Sequence, residues 1–186
     1  MNQIIDCISS KRSVRKFTGK QIPYDTVETL LTLGTMASTG SNLQPWGFVV
    51  IQDKEEIEAL AQAVKSYLLA HLNEYPHFVP YETALKNDNY HVLNHATTLI
   101  LTYGNSDSHW YVYDCSLATG NIMLAAHGMG IGTCWIGYCE TYCNTPEFKA
   151  KYNVPESFQL VSTLSCGYEG EPLAPPKRKP PVVFHK

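Results

Sequence analysis

Two short clusters of basic residues contain the side chains best suited to binding an anion. The N-terminal cluster contains Lys11, Arg12, Arg15 and Lys16, with Ser13 among them, and the C-terminal cluster contains Lys177, Arg178 and Lys179. An arginine suits a phosphate group because its planar guanidinium donates two hydrogen bonds at once. The alternative for either cluster is a solvated surface loop, because basic triplets are common on protein surfaces.

A polar loop precedes the first strongly apolar segment. Its polar side chains are Ser38, Thr39, Asn42 and Gln44. Residues 46–52, which follow directly after a proline, form an apolar run that predicts a buried strand. Hydroxyl and amide groups at the edge of a strand can form hydrogen bonds with a planar heterocycle or a ribityl chain. An ordinary connection between a helix and a strand has the same composition.

A glycine-rich segment occupies residues 130–137, with the sequence Gly-Ile-Gly-Thr-Cys-Trp-Ile-Gly. Its glycines allow the backbone to approach a ligand or another chain segment closely. The segment is not the dinucleotide-binding fingerprint, because it follows a predicted helix rather than a strand and lacks the GxGxxG spacing. A P-loop is absent from the sequence as well.

The cysteines and histidines do not form a recognisable metal site. The six cysteines include no CxxC pair, and Cys139 and Cys143 supply only two ligands. The histidines at positions 71, 77, 91, 95, 109 and 127 match no closed ligand set, so we expect surface or packing roles and no bound metal. We also expect Tyr103 and Tyr138 to be core residues rather than proton donors.

Composition and charge restrict the class of protein. The 186 residues suffice for a single domain, 1–186, with a hydrophobic core. The formal net charge of −3 argues against nucleic-acid binding, because no domain-wide positive field can neutralise phosphates. No apolar run reaches the roughly 20 residues of a membrane helix, and residues 1–10 do not resemble a signal peptide. With free thiols, these features predict a cytoplasmic protein that has no membrane partner and binds a small anionic ligand.

Hydrophobic periodicity predicts the helices. Helical spacing places them near residues 4–10, 27–34, 57–68 and 115–129. Asp25 and Glu28 form a capping box for the second helix, and Asp53 caps the third. The sequence Asn144-Thr-Pro-Glu begins a further helix with proline in its first turn. Small residues within 115–129 indicate close packing at the centre of the fold.

The remaining segments predict strands, a binding-site wall and an extended tail. Residues 46–52, 97–103 and 158–167 form strands, and residues 132–137 a short extended stretch. Residues 73–94 show no sustained period, which is typical of a lid or a wall of a binding site. Five prolines between positions 172 and 181 keep the tail extended along its own surface or a partner's. Helices and strands alternate without a regular βαβ repeat, which indicates an α+β fold with a central sheet and flanking helices.

These segments together resemble the nitroreductase family of flavoproteins, in order and spacing, from Lys11 to Pro181. The most specific is Ser41-Asn-Leu-Gln-Pro-Trp-Gly-Phe-Val-Val, which resembles the family's Asn-x-Gln-Pro-Trp signature. Residues 11–17, Lys-Arg-Ser-Val-Arg-Lys-Phe, resemble its Arg-x-Ser-x-Arg start, and residues 130–137 resemble its third block. The resemblance implies a nitroreductase-like fold with a central mixed β-sheet, an intertwined homodimer and an extended C-terminal tail.

The resemblance also implies how FMN binds. It assigns the phosphate and ribityl chain to Lys11, Arg12, Ser13, Arg15, Lys177 and Arg178. It assigns contacts with a flavin held mainly by the other subunit to Ser38, Thr39 and Asn42, with Gln44 in the same loop. It places the isoalloxazine against Trp135, Ile136 and Gly137. The family commonly has proline where Ser38 stands and serine where Thr39 stands.

The implied activity is that of an FMN-dependent oxidoreductase, which uses NAD(P)H to reduce a nitroaromatic compound, a quinone or a related small-molecule acceptor in two steps. The flavin carries the hydride chemistry and the protein supplies binding and orientation, so no catalytic side chain is expected. Two alternatives stay open: a flavin-binding store or sensor, and another flavin reaction on the same fold, such as reductive dehalogenation or flavin destruction.

Overall fold

A four-stranded sheet with helices on both faces forms the framework of the computed structural model, which describes residues 2–185. The strands are β1 (Trp46–Ile51), β2 (Thr98–Asn105), β3 (Ile131–Ile136) and β4 (Phe158–Tyr168). The helices are α1 (Gln3–Ser10), α2 (Tyr24–Gly34), α3 (Lys54–Ala70), α4 (Glu82–Lys86), α5 (Tyr111–Gly128) and α6 (Pro146–Lys151). The strand order is β1-β2-β4-β3. This arrangement confirms the α+β fold with a central sheet and flanking helices.

The sheet differs from the expected mixed sheet in the direction of its strands. All three pairs of neighbouring strands are antiparallel. Among residues 2–185, parallel pairing is limited to an isolated bridge between Ser13 and Thr133. A parallel pair needs a connection that carries the chain back to the end of the sheet where the first strand began. The chain from β1 to β2 and from β3 to β4 instead enters the second strand at the end where the first strand finished. β1 also differs from the expected buried strand, since it is an edge strand and mostly half-buried.

Two hydrophobic cores lie on opposite faces of the sheet. Leu99 and Leu101 of β2 pack in the first core with Leu60 and Val64 of α3. Ile100, between them in sequence, packs in the second core with α2 and α5. This alternation follows from the period of two with which side chains leave a strand. α3 therefore covers one face of the sheet, and α2 with α5 covers the other.

The small residues of α5 allow the close packing that the sequence predicts. Ala118 and Thr119 are fully buried, and the Thr119 hydroxyl lies 2.8 Å from the Ser162 hydroxyl of β4. On the opposite side, a Cβ atom at Gly34 of α2 would lie 2.7 Å from Ile122 Cγ1. Glycine is therefore needed where α2 crosses α5.

The helix ends agree with three of the four predictions. α1 ends at Ser10, Asp53 caps α3 by accepting a hydrogen bond from Glu56 N at 2.8 Å, and Thr145 caps α6. The capping box at Asp25 is wrong, because Pro23 precedes α2 and Asp25 already lies in the first turn. Pro23 is the N-cap residue of α2 and has no backbone N–H that would need a partner.

Residues 73–94 contain two short helical elements that periodicity does not predict. They are a 3-10 helix at Pro76–Tyr81 and the single turn and a half of α4. The buried Lys65 of α3 holds the end of this segment, since its Nζ donates to the carbonyls of Asn87 at 2.8 Å and Tyr90 at 3.1 Å. A buried ammonium group needs such partners, so the contact fixes the segment against α3. Within the described residues, no helix has the length and apolar character needed to cross a bilayer.

A polar contact joins α3 to the end of α6 at the edge of the first core. The Glu56 carboxylate lies 2.8 Å from Lys151 Nζ and accepts a hydrogen bond from the Tyr152 hydroxyl at 2.9 Å. The hydrogen bond from Lys151 lowers the pKa of Glu56 below its ordinary value. The carboxylate is therefore favoured in its charged form in the folded protein.

We expect Glu56→Gln to lower the free energy of unfolding at pH 7 by about 1 kcal/mol, because it removes a charged hydrogen-bond acceptor. Since the folded-state pKa is depressed, this stabilisation is fully present above the ordinary glutamate pKa of about 4.3 and is lost as the pH falls through the folded-state value. Urea unfolding at a series of pH values measures the difference. Glu55→Gln, an exposed neighbour in the same helical turn, is the control. Equal losses in the two variants would contradict the assignment.

Candidate functional site

The N-terminal basic cluster lies on the edge of the sheet formed by β3 and the end of β4. Val14 N donates to the Thr133 carbonyl at 3.0 Å, and Thr18 N donates to the Tyr168 carbonyl at 2.8 Å. Val14 itself is buried, so the residues on either side of it, Ser13 and Arg15, are exposed. The backbone pairing therefore fixes which side chains of the cluster point outward.

Glycine at two strand positions makes this pairing possible. A Cβ atom at Gly132 of β3 would lie 2.7–2.9 Å from the side chain of Val14, and one at Gly167 of β4 would lie 2.8 Å from Phe17. Real Cβ atoms do not approach other atoms so closely. The sequence allows the 130–137 glycines to approach either a ligand or another chain segment. Gly132 approaches another chain segment. Gly137 is exposed and has open space beside it.

The two basic clusters meet at one cavity of about 350 Å³, which we call the cationic cavity. Its lining residues are Lys11, Arg12, Ser13, Arg15, Leu173, Ala174, Pro176 and Arg178. Arg178 is thus the member of the C-terminal cluster that reaches the cavity, and Lys177 and Lys179 do not line it. Lys16 points elsewhere and pairs with Glu171 at 2.8 Å.

The charges of the cationic cavity are incompletely balanced within residues 2–185. Arg12 Nη1 donates to the carbonyls of Ser9 at 2.7 Å and Lys11 at 2.9 Å, whereas its Nε is buried without a hydrogen-bond partner. Burial lowers the pKa of Lys11, and the positive charge of Arg178 lowers it further, although Cys134 acts in the opposite direction. A bound anion would offset both costs, because it supplies hydrogen-bond acceptors and opposite charge.

A second cavity of about 450 Å³, the aromatic cavity, lies beside the first, and Arg15 lines both. One wall is the backbone and side chains of Cys134, Trp135, Ile136 and Gly137, and the rest consists of Phe78, Tyr81, Tyr90, Val92, Asn94 and Tyr138. The Ile136 side chain is buried in the core, so this residue presents mainly its backbone. The segment 73–94, predicted to be a lid or a wall of a binding site, thus lines this cavity.

The sequence missed the individual aromatic residues of this wall. The expectation that Tyr103 is a core residue is confirmed, because it is 1% exposed and donates to the Cys143 carbonyl. Tyr138 differs from the expectation, since it is half-buried and lines the aromatic cavity. The concentration of tyrosine between positions 75 and 90 is the sequence feature that could have identified these aromatic residues.

The polar loop lies at a different place from both cavities. Gly40 N donates to Asp114 Oδ1 at 3.1 Å, near the start of α5, and Gln44 Nε2 donates to Asn42 Oδ1 at 3.0 Å. By contrast, α1 contacts the other end of α5, where Ser10 Oγ lies 2.8 Å from His127 Nε2. Ser38, Thr39, Asn42 and Gln44 line neither cavity. Within one chain, therefore, the polar loop does not meet the basic clusters.

One histidine pair, which the spacing argument did not single out, lies beside a carboxylate. Glu58 is 3.2 Å from His91 Nε2 and 3.5 Å from His95 Nδ1, so three possible metal ligands come together. However, His91 Nδ1 accepts backbone hydrogen bonds from Leu93 at 3.2 Å and His95 at 3.1 Å. The proton of the neutral ring must then lie on Nε2, where it leaves no lone pair for a metal.

Comparison with known proteins defines the class of this chain. Residues 8–168 match the model of the Nitroreductase family, and the chain belongs to that family. It resembles a Bacteroides fragilis nitroreductase structure with bound FMN at a TM-score of 0.88 and 27% identity, with 100% of each chain covered.

Two further proteins are similar to this chain in sequence. An Archaeoglobus fulgidus protein, provisionally named NADH dehydrogenase/NAD(P)H nitroreductase, is 27% identical over 90% of this chain and 86% of its own length. An iodotyrosine deiodinase from Thermotoga neapolitana is 24% identical over 92% of this chain and 91% of its own. The nitroreductase-like fold that the sequence motifs imply is therefore confirmed.

We expect Gly132→Ala to destabilise the protein by about 1–3 kcal/mol, because the added methyl group overlaps Val14 and forces the basic cluster away from β3. Thermal unfolding measures the loss. Gly128→Ala is the matched control, because a Cβ at position 128 meets nothing within 4 Å. A Gly132→Ala protein as stable as the control would show that the close contact does not hold the cluster in place.

Proposed function

We propose that this chain is one FMN-binding domain that uses NAD(P)H to reduce nitroaromatic, quinone or related electrophilic acceptors. The observation that carries the proposal is the cationic cavity, where Arg12 Nε is buried without a partner among residues 2–185. A phosphate group supplies both the missing acceptor and the balancing charge. Membership of the family, together with the likeness to a nitroreductase structure containing FMN, supports FMN as the bearer of that phosphate.

The two adjoining cavities fit the two halves of FMN. The residues placed to hold the phosphate and ribityl chain are Lys11, Arg12, Ser13, Arg15 and Arg178. The isoalloxazine would lie along Trp135, Ile136 and Gly137, which form one wall of the aromatic cavity. Lys177 is adjacent to Arg178 on the exposed tail and contributes charge rather than a contact.

The chain contributes binding, orientation and electrostatics. When bound, FMN would supply the two-step redox chemistry that links NAD(P)H to the acceptor. Lys11, Arg12 and Arg15 provide the positive charge that holds the phosphate. Because the flavin would carry the redox chemistry, no acid or base side chain is required of the lining residues, which include no carboxylate.

The separation of the polar loop from the basic clusters supports a site shared between two chains. Asp114, which binds the polar loop, and Leu124, whose carbonyl accepts from Cys7 of α1, are ten residues apart on α5. That separation is about 15 Å along the helix. If two copies pack with their α5 helices antiparallel around a two-fold axis, the start of one α5 lies near the end of the other. Ser38, Thr39, Asn42 and Gln44 would then reach the partner's flavin.

Exposed apolar side chains supply the surface for this homodimer. Those on α1 and α5 include Ile4, Ile5, Ile8, Val112, Tyr113 and Leu117, and those on the tail include Val182 and Phe184. Phe184 is 97% exposed, which is costly in water for so large an apolar side chain. We propose an obligate dimer that buries more than about 2,000 Å² in total, with the extended tail packed on the partner.

Small molecules and a second copy of the chain are the proposed partners, in the cytoplasm. All six cysteines are free, and five of them are buried, which fits a reducing compartment. We propose no nucleic-acid partner, because the net charge is −3 and no domain-wide positive field can neutralise phosphates.

A second candidate is reductive dehalogenation of an aromatic substrate. The similarity to an iodotyrosine deiodinase over 92% of the chain favours it. Both reactions draw electrons from the same bound flavin, so the acceptor alone separates them. A flavin store, in contrast, binds FMN without oxidising nicotinamide.

Anaerobic reduction tests the function directly. We expect the purified protein to release FMN on heat denaturation and its flavin absorbance to bleach with NADH or NADPH, then to recover on addition of a nitroaromatic compound or a quinone. Recovery with an iodinated phenol, and not with these acceptors, would instead support dehalogenation. Persistent absorbance with both nicotinamides would support the flavin store.

Arg12→Ala should weaken FMN binding roughly tenfold or more, whereas Lys54→Ala, which removes a charge outside the cationic cavity, should not.

For the assembly, we expect sedimentation at micromolar concentration to give a dimer with two FMN per dimer. Leu117→Arg should yield monomers that lose FMN, because half of each site is removed and binding is coupled to assembly. Val79→Arg is the control, because Val79 is similarly exposed but lies in the 3-10 helix outside the apolar surface. A wild-type monomer that retains one tightly bound FMN would show that the site is complete within one chain.

A further inference from the structure

Tyr138 stands at the centre of the aromatic cavity's wall. Its ring centroid lies 5.9 Å from that of Phe78, 5.7 Å from that of Tyr81 and 6.2 Å from that of Tyr90. Tyr81 and Tyr90 meet it edge to face, at interplanar angles of 90° and 85°. Contacts with three rings restrict the rotation of the Tyr138 ring, so its hydroxyl has a fixed position.

A hydrogen bond also sets the direction of that hydroxyl. The Tyr90 hydroxyl donates to Tyr138 Oη at 3.1 Å. The backbone of Tyr90 is in turn held by Lys65, whose Nζ donates to its carbonyl. Because Tyr138 Oη accepts from Tyr90, its own hydrogen is free to point away from Tyr90, and it has no acceptor among residues 2–185.

Tyr138 lies next to the residues proposed to contact the isoalloxazine. It follows Gly137 directly, and both line the aromatic cavity with Trp135. The cavity volume of about 450 Å³ falls in the usual range of ligand sites, about 300–1,000 Å³. Arg15 is the charged residue of its lining, so a developing negative charge meets no carboxylate there.

We propose that the Tyr138 hydroxyl donates a hydrogen bond to the electron acceptor and thereby selects planar aromatic acceptors that present an oxygen at the ring edge. This inference rests on the proposed function. A quinone takes a hydride, equal to two electrons and one proton, from the reduced flavin and a second proton from solvent. The Tyr138 hydroxyl stabilises the negative charge that develops on the quinone oxygen and is not itself consumed.

The chemistry of the wall explains why such a donor discriminates between acceptors. Burial raises the pKa of Tyr138 above its ordinary value, so the hydroxyl keeps its proton at neutral pH. An aromatic ligand without an oxygen at this position would cover the hydroxyl and leave its hydrogen unpaired. A half-buried donor without a partner costs binding energy, whereas an acceptor oxygen satisfies it.

The test uses the FMN-loaded protein reduced with dithionite, which bypasses the nicotinamide step. Reoxidation is then followed by stopped flow with 1,4-naphthoquinone or with ferricyanide, an acceptor that needs no place in the cavity. We expect Tyr138→Phe to slow reoxidation by the quinone roughly tenfold or more and to change reoxidation by ferricyanide less than about twofold. Tyr24→Phe, which removes an exposed hydroxyl at the start of α2, is the control.

A binding measurement separates the proposed contact from a general loss of structure. We expect the dissociation constant of 1,4-naphthoquinone from the oxidised protein, read from the flavin absorbance, to rise about two- to tenfold in Tyr138→Phe. Tyr90→Phe, which keeps the Tyr138 hydroxyl but frees its orientation, should slow the quinone reaction by a smaller factor. Quinone rates in Tyr138→Phe equal to those of the wild type would overturn the inference and leave the proposed function standing. A reduced wild-type protein that ferricyanide reoxidises, and that neither the quinone nor a nitroaromatic compound reoxidises, would overturn both.

Discussion

The pairing of the N-terminal basic cluster with the edge of the sheet is the contact on which the candidate site depends. Two backbone hydrogen bonds, from Val14 and Thr18, hold the cluster against β3 and the end of β4. The absence of side chains at Gly132 and Gly167 lets the two segments approach. Because the same strand continues into the wall of the aromatic cavity, this contact also sets the distance between the cations and that wall.

This geometry brings several positive charges close together, which costs free energy. Lys11, Arg12, Arg15 and Arg178 converge on one cavity whose lining holds no carboxylate. Burial is the main cause of the lowered pKa of Lys11, and the positive charge of Arg178 acts in the same direction. Repulsion among these positive charges destabilises the empty site. We therefore expect a ligand of opposite charge to bind there. In the proposed function, the phosphate of FMN supplies that opposite charge.

α5 separates the two kinds of functional residues as well as supporting the sheet. Its start contacts the polar loop through Asp114 and its end contacts α1 through His127. Because α5 holds α1 and the polar loop apart within one chain, the proposed flavin site can draw on both only if a second chain contributes. In the proposed dimer, that second chain would cover the exposed apolar residues of α1 and α5. Binding of cofactor and assembly are therefore expected to be linked.

The sequence by itself determined most of the helices and strands, the motif residues and the family, because these depend on local spacing: helical stripes, an Asp53 cap and the Asn-x-Gln-Pro-Trp segment are all short-range patterns. It did not determine the 3-10 helix at Pro76–Tyr81 or α4. The tertiary structure alone decided the antiparallel order of the strands, the choice of Arg178 over Lys177 at the cationic cavity, and the place of Tyr138 in the aromatic cavity. The Glu58 carboxylate beside His91 is a further example. Each of these joins residues far apart in the chain, and only packing across the sheet decides which distant side chains share a cavity.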